Sequence, residues 1–404
     1  MLNDTSIAGS ARASNTSLYT ICLFASLIGF GQNALLVSLP TLVATTDITI
    51  ASWSVLIAIG TVLFIPTAPY WGKRSDRRGP KSIVLTALLG LSLCFSGMAA
   101  ILYALDKALL TTTAALVLLA MLRIVYGVTV SGLVPACQHW AILTVGEQHR
   151  LSAITSISAS LSMGRVLSPV LAVALIKLDP LFAITVVGFA ALGLFVVCLM
   201  TPALTPKPMA HTVLDKPITM TIPRYLIIAL LLCSALGVLH YSLTPLLSAV
   251  SSLSAESLSD WVGYLLTLSA IVTLATQIGV VKKKKLSLEQ MLFWGGLLLM
   301  IGYSLFLFAN ITAYLIGISI LSVGNAILTP AYTTKAMSKQ SGHQGQISGL
   351  LATSHTLGFA LSALFVAAST SLFINPLWFS VLFAVALFTT ITSMSFQRGL
   401  ETRN

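Results

Sequence analysis

Between Glu289 and Lys335, and again between Lys339 and Arg398, the chain carries no Asp, Glu, Lys or Arg. Each of these stretches has room for two helical spans of about 20 residues, the length that crosses a hydrocarbon core. The remainder divides in the same way at its charges and prolines, so twelve spans are expected, near 18–40, 51–71, 82–104, 111–134, 152–176, 180–200, 225–248, 261–281, 290–309, 311–332, 347–369 and 374–395. Composition agrees, because 56% hydrophobic and 8% charged residues over 404 positions do not describe a soluble domain. The runs are continuously apolar and lack the period-two alternation of a transmembrane barrel. The expected class is an all-α membrane protein.

The first 16 residues are polar and show no basic start, apolar stretch or small-residue cleavage site, so the first span is expected to act as its own insertion signal. Five cysteines lie scattered in apolar segments and six histidines make no ligand cluster, which argues against a disulfide framework or a metal site.

A net charge of +11 would point to nucleic acid in a soluble protein, but the placement of the cations explains it better here. With a cytoplasmic N-terminus, Arg12, the cluster Lys73 to Lys81, Arg150, Lys207, Lys216, Arg224, Lys282 to Lys285, Lys335, Lys339, Arg398 and Arg403 all face inward. Lys107 and Lys177 alone face outward. That asymmetry predicts a multi-pass protein of the cytoplasmic (inner) membrane with both termini inside and no nucleic-acid partner. The run "KKKK" after the eighth span reads as a topology anchor touching anionic headgroups of the bilayer.

The segment "TPALTPKPMAHTVLDKPITMTIPR", rich in proline, separates six spans from six. It divides the chain into an N-terminal six-helix bundle (1–200), a linker (201–224) and a C-terminal six-helix bundle (225–404). The halves match weakly in sequence: "LVPA" at Leu133 meets "LTPA" at Leu328 after 195 residues, and "GRVLS" at Gly164 meets "GFALS" at Gly358 after 194. Two matches at nearly one shift, each on the partner span, indicate pseudo-symmetric halves with a substrate site between them near the bilayer midplane.

Between the second and third spans stands "GKRSDRRGPK", which resembles the G-x-x-x-D-R-x-G-R-[RK] signature of the major facilitator superfamily. Gly72, Asp76, Arg77, Gly79 and Lys81 match, and Pro80 replaces the usual basic residue. The glycines would permit a tight turn, and Asp76 can accept from an arginine or from exposed helix N-terminal amides. The resemblance implies that this segment is a gate, locking the two halves in the outward-facing state and releasing as they rock. "RIVYGVTVSGLVPA", from Arg123, resembles the fourth-span signature of proton-driven antiporters, and "GRVLSPVLAV", from Gly164, resembles the fifth-span signature G-x-x-x-G-P-x-x-G-G. There Gly164 and Pro169 match, while Ser168, Ala172 and Val173 stand where glycines are usual, so close helix packing is expected at Gly164, Ser168 and Pro169.

Arg123 and Arg165 both fall near the middle of their spans, where a cation costs about 2.5 to 3.5 kcal/mol on insertion scales and normally faces a wet cavity or a partner. All 11 acidic residues lie in loops or at span ends, so no carboxylate stands beside either arginine in sequence. Ser158, Ser162 and Ser168 share the helical face of Arg165 and extend it as a polar stripe, and Tyr126 flanks Arg123. Cations without a resident anion would attract an anionic or zwitterionic solute through bidentate hydrogen bonds. The alternative is that each arginine caps backbone carbonyls or snorkels beside a kink at Pro135 or Pro169. Gln32 and Asn33 in the first span, His240 in the seventh and His355 in the eleventh are further candidates for substrate binding, and either histidine could carry a coupled proton.

No nucleophile with its base, paired carboxylates or P-loop is assembled, so enzymatic turnover and direct ATP use are not expected. The reading is a secondary transporter with no cofactor, driven by the proton gradient. The resemblance implies a monomer that exports a small amphiphilic molecule, siderophore-like or drug-like. Uptake by proton symport, or a nontransporting receptor or scaffold, are the alternatives.

Overall fold

The computed structural model describes residues 2–46, 48–203, 222–250, 255–340, 343–371 and 374–401. Most of the expected linker, 204–221, lies outside the described residues. Among the described residues, twelve helices are long and apolar enough to cross a membrane, from Ser17–Leu39 to Leu377–Met394. The chain forms two compact units, Met1–Lys216 with Ser341–Ala352, and Pro217–Gln340 with Thr353–Asn404.

The first unit contains α1 (Leu2–Thr45), α2 (Ile50–Val62), α3 (Phe64–Arg78), α4 (Pro80–Asp106), α5 (Thr112–Val130), α6 (Leu133–Val145), α7 (Arg150–Ile176) and α8 (Phe182–Met200). The second span is the broken pair α2 and α3, and the fourth is the broken pair α5 and α6. The cause is proline. Pro66 has no N–H for the Val62 carbonyl, and Pro135 has none for Ser131, so the α2 and α5 ladders each stop where a donor is missing. Thr49 and Thr111 cap the starts of α2 and α5 through their hydroxyls. α1 packs along α7, and α4 lies between α5 and α8, burying Phe24, Phe95 and Trp140 to 1% exposure or less.

The expected turn between the second and third spans is not a loop. α3 runs on to Arg78 and a single residue, Gly79, separates it from α4. Gly79 has φ 85°, a left-handed conformation that a side chain would strain, and Pro80 follows at the first position of α4, where a missing N–H costs nothing. Pro80 is therefore a helix start, and the basic residue usual at this place is not needed for the turn.

The second unit contains α9 (Ile222–Val250), α10 (Ala255–Thr276), α11 (Leu288–Leu305), α12 (Ile311–Ser338), α13 (Gln344–Ser371) from Thr353 onward, and α14 (Leu377–Glu401). Ser287 and Gln290 form a capping box at the start of α11, and Asn310 caps α12. α11 and α12 touch through Gly295 and Gly324, where a Cβ on either would lie 3.2 or 3.0 Å from the other's carbonyl oxygen. Without a hydrophobic drive between helices in lipid, such close backbone contact supplies the dispersion energy that holds them. α12 runs to Ser338, six residues beyond the expected end at 332, because Lys335 is buried and paired with Glu289 at the start of α11.

The weak sequence repeat has a structural counterpart in each unit. A Cβ on Gly164 of α7 would run into the Ser26 carbonyl of α1, and one on Gly358 of α13 would lie 2.5 Å from the Leu230 carbonyl of α9. Four residues on, Ser168 donates to the Phe30 carbonyl at 2.7 Å, while Ser362 lies against Gly237 of α9. In both halves the fifth span leans on the first through a glycine and a serine.

Candidate functional site

The polar centre of the first unit is built from α1, α2, α5 and α7. Arg123 is 5% exposed. Its Nε donates to the Leu56 carbonyl at 3.1 Å and its Nη2 to that of Ile57 at 3.5 Å, while the guanidinium lies 4.5 Å above the Tyr126 ring. Gly60 leaves the room, since a Cβ there would stand 3.0 Å from Nη2. Of the two arrangements open to a mid-span arginine, Arg123 takes carbonyl capping: it clamps α5 to α2. Tyr126 is likewise buried and stacked on Phe64, with ring centroids 5.8 Å apart.

Arg165 is different. It is exposed midway along α7, with its stem running past Gly29. Its backbone carbonyl accepts from Asn33 Nδ2 at 3.0 Å. Gln32 is exposed on the neighbouring α1. The serines expected to extend the Arg165 face do otherwise. Ser162 is buried and bonds back to the Ser158 carbonyl, and Ser168 is fully buried against α1. A short hydroxyl satisfies itself on a nearby carbonyl and so fits a helix contact, whereas the long Arg165 and Gln32 side chains are exposed.

The segment read as a gate is assembled around the start of α13. Asp76 is 6% exposed and accepts from the Gly345 amide at 2.7 Å and the Gln346 amide at 2.8 Å, one to each carboxylate oxygen. These are donors that a helix start cannot satisfy internally, and the negative charge complements its dipole. Gly72 sits inside α3 rather than in a turn, and its lack of a side chain lets the Gly345 backbone touch it. Gln344 donates to Glu147 at 2.9 Å and Ser348 to Gln138, so together with Asp76 three hydrogen-bonding side chains anchor this turn to the rest of the first unit. Lys81 donates to the carbonyls of Leu199 and Thr201 at 2.9 and 2.7 Å, closing the end of α8. Arg77 is exposed.

In the second unit, His355 of α13 is hydrogen-bonded to the Tyr332 hydroxyl of α12 at 2.5 Å. His240 of α9 is exposed and stacked on Phe359, one turn after His355, with ring centroids 6.4 Å apart. Residues that the sequence did not single out are Gly29, Phe359, Ser75 and His139. Ser75 Oγ lies 2.8 Å from His139 Nδ1, directly behind Asp76. A histidine in the apolar run of α6 was the available signal, but only the fold brings it to α3.

Two helical bundles with polar side chains exposed midway along apolar spans define a multi-pass membrane protein. The model of the Major Facilitator Superfamily matches residues 21–363, and the chain belongs to this family of membrane transporters. No curated protein matches it significantly. Among solved structures, the human organic anion transporter MFSD10 (TETRAN) is 17% identical over 94% of this chain and 99% of its own, with a TM-score of 0.74. The proton:xylose symporter XylE bound to 6-bromo-6-deoxy-D-glucose is 11% identical over 95% and 96%, with a TM-score of 0.75. An outward-facing bacterial homologue of the iron transporter ferroportin is 16% identical over 95% and 99%, with a TM-score of 0.68. At these identities the likeness is one of fold.

Proposed function

We propose that the protein works by alternating access as a monomer in the cytoplasmic membrane, exporting a small amphiphilic organic anion or zwitterion, siderophore-like or drug-like, in exchange for protons. The observation that carries this reading is the exposure of Arg165 midway along an apolar span, beside the exposed Gln32. A guanidinium at that depth belongs in water rather than lipid, and its fork suits a carboxylate, catecholate or phosphate. Arg123, Tyr126 and Asn33 act behind that surface by fixing the helices that present it. His240 and His355 are the corresponding polar groups of the second unit. The organic anion handled by one structural neighbour is the same class of solute.

Asp76 supports the cyclic part of the reading. Its carboxylate holds the first turn of α13 through two backbone amides, a contact that a rocking motion can break without leaving a side chain unpartnered by water. Gly72, Gly79, Arg77 and Lys81 shape and flank this gate.

The test is a thermal-shift screen of purified protein against anionic metabolites and antibiotics, followed by Arg165→Ala. Stabilisation by an anionic compound that the variant loses at least tenfold, with folding intact, is expected; unchanged affinity removes Arg165 from the site. Flux of the same compound in everted and right-side-out vesicles under an imposed proton gradient fixes direction, and accumulation in right-side-out vesicles would overturn export.

A further inference from the structure

Ser75, Asp76 and His139 form a sealed polar cluster between α3 and α6. The side chains of His139 and Asp76 are 3% and 1% exposed, and His139 Nδ1 stands 3.6 Å from Asp76 Oδ1 and 2.8 Å from Ser75 Oγ. The same Oδ1 accepts the Gly345 amide at 2.7 Å. One carboxylate oxygen thus faces both an imidazole nitrogen and the amide that begins α13.

A neutral imidazole can use Nδ1 as the acceptor for the Ser75 hydroxyl, leaving both carboxylate oxygens to the backbone amides. A protonated ring carries N–H at both nitrogens and no acceptor, so Nδ1–H turns to the nearest anion, which is Asp76. The remaining charged groups on the elements packed against α6 are directed elsewhere. Lys81 of α4 is turned to the carbonyls of Leu199 and Thr201, and Arg150 of α7 to Glu147. α1 carries no ionisable cation or carboxylate from Ser17 to Leu39. On α3 itself Lys73, Arg77 and Arg78 are exposed and Arg74 reaches Tyr70. His343, just before α13, is the other buried imidazole near this turn.

We infer that His139 is the proton-bearing partner of Asp76: an imidazolium there competes with the amides of Gly345 and Gln346 for the carboxylate and frees the first turn of α13. The inference rests on Asp76 being the gate. Because the cluster is closed to water, the proton reaches His139 from the aqueous phase only as the turn lifts, so proton uptake and release of the turn are two halves of one step. His139 is a positioning residue, acting on the gate through Asp76 and touching no substrate.

The experiment is hydrogen–deuterium exchange of the peptide over residues 344–352 in the purified full-length protein, at pH 8 and pH 5.5, each corrected for intrinsic exchange. The wild type is expected to exchange about tenfold faster at the lower pH. His139→Gln, which keeps a hydrogen-bonding group but holds no proton, is expected to exchange slowly at both. Wild-type behaviour in His139→Gln, or a wild type with no pH response, overturns the inference. His139→Asn serves if the glutamine variant does not fold, with the same two outcomes. Asp76→Asn separates the two readings: fast exchange at both pH values upholds the gate whatever His139 does, whereas slow exchange at both overturns the gate and this inference together.

Discussion

Asn33 Nδ2 donates to the Arg165 carbonyl oxygen at 3.0 Å, and that carbonyl is the one Pro169, four residues on, has no N–H to serve. A side chain of α1 thus replaces the hydrogen bond that a proline removes from α7. Interhelical hydrogen bonds in membranes are worth about 0.6 kcal/mol on average and up to about 1.7. Asn33→Leu is expected to destabilise by about 1 kcal/mol, and much less in a Pro169→Ala background, where the helix supplies its own donor. A double-mutant cycle by chemical unfolding in detergent measures the difference; equal costs in both backgrounds would mean that Asn33 serves some other purpose.

Two mid-span arginines should fail in different ways when removed. Arg123 clamps α5 to the carbonyls of Leu56 and Ile57, so Arg123→Ala is expected to cost about 1.5 to 3 kcal/mol of stability. Arg165 is exposed, so Arg165→Ala should leave Tm within a degree or two while weakening anion binding. Thermal unfolding of both variants, beside ligand titration of the second, distinguishes clamp from cavity group.

Two glycines offer a paired test of helix approach. Gly164 meets the Ser26 carbonyl, whereas a Cβ on Gly193 of α8 would find nothing within 4 Å. Gly164→Ala is expected to destabilise by about 1 to 3 kcal/mol through overpacking. Gly193→Ala should be neutral or stabilising by up to about 1 kcal/mol, since alanine is the better helix former. A similar Tm for the two variants would argue that α1 and α7 do not approach through backbone.

Lys335 and Glu289 make an asymmetric ion pair, the lysine side chain 9% exposed and the glutamate 55%. Removing the half-exposed partner strands a buried cation, while removing the lysine leaves a carboxylate that water can still reach. Glu289→Gln is therefore expected to lower Tm more than Lys335→Met. The opposite order, read by differential scanning fluorimetry, would mean that packing of the lysine stem dominates its charge.

The sequence carried the architecture because twelve apolar runs must each satisfy their own backbone, and helices are the only open-ended way to do so in lipid. The setting of Asp76 was legible for the same kind of reason: an acidic residue set between glycines in a basic segment needs buried donors, and Asp76 accepts from two amides. What the sequence did not convey was orientation about each helix axis. Arg123 and Arg165 look alike as lone cations in apolar runs, yet one is buried against Gly60 and the other is exposed. Ser168 shares the Arg165 side of α7 by spacing, but its short hydroxyl is spent on Phe30. His139 was invisible as a partner because Asp76 lies 63 positions away, and only the parallel run of α6 beside α3 joins them.

Gly72 and Gly345 meet backbone to backbone, with no side chain from either reaching across. A joint of that kind has no teeth. Pulling the two glycines apart requires no rotamer of theirs to swing clear; water must take over a carboxylate with its two peptide N–H groups and the side-chain hydrogen bonds of Gln344 and Ser348, all groups it solvates readily. Seams that must hold firmly yet open repeatedly are well served by flat surfaces of this sort, whereas interlocked leucines at the same place would hold tighter and let go slowly.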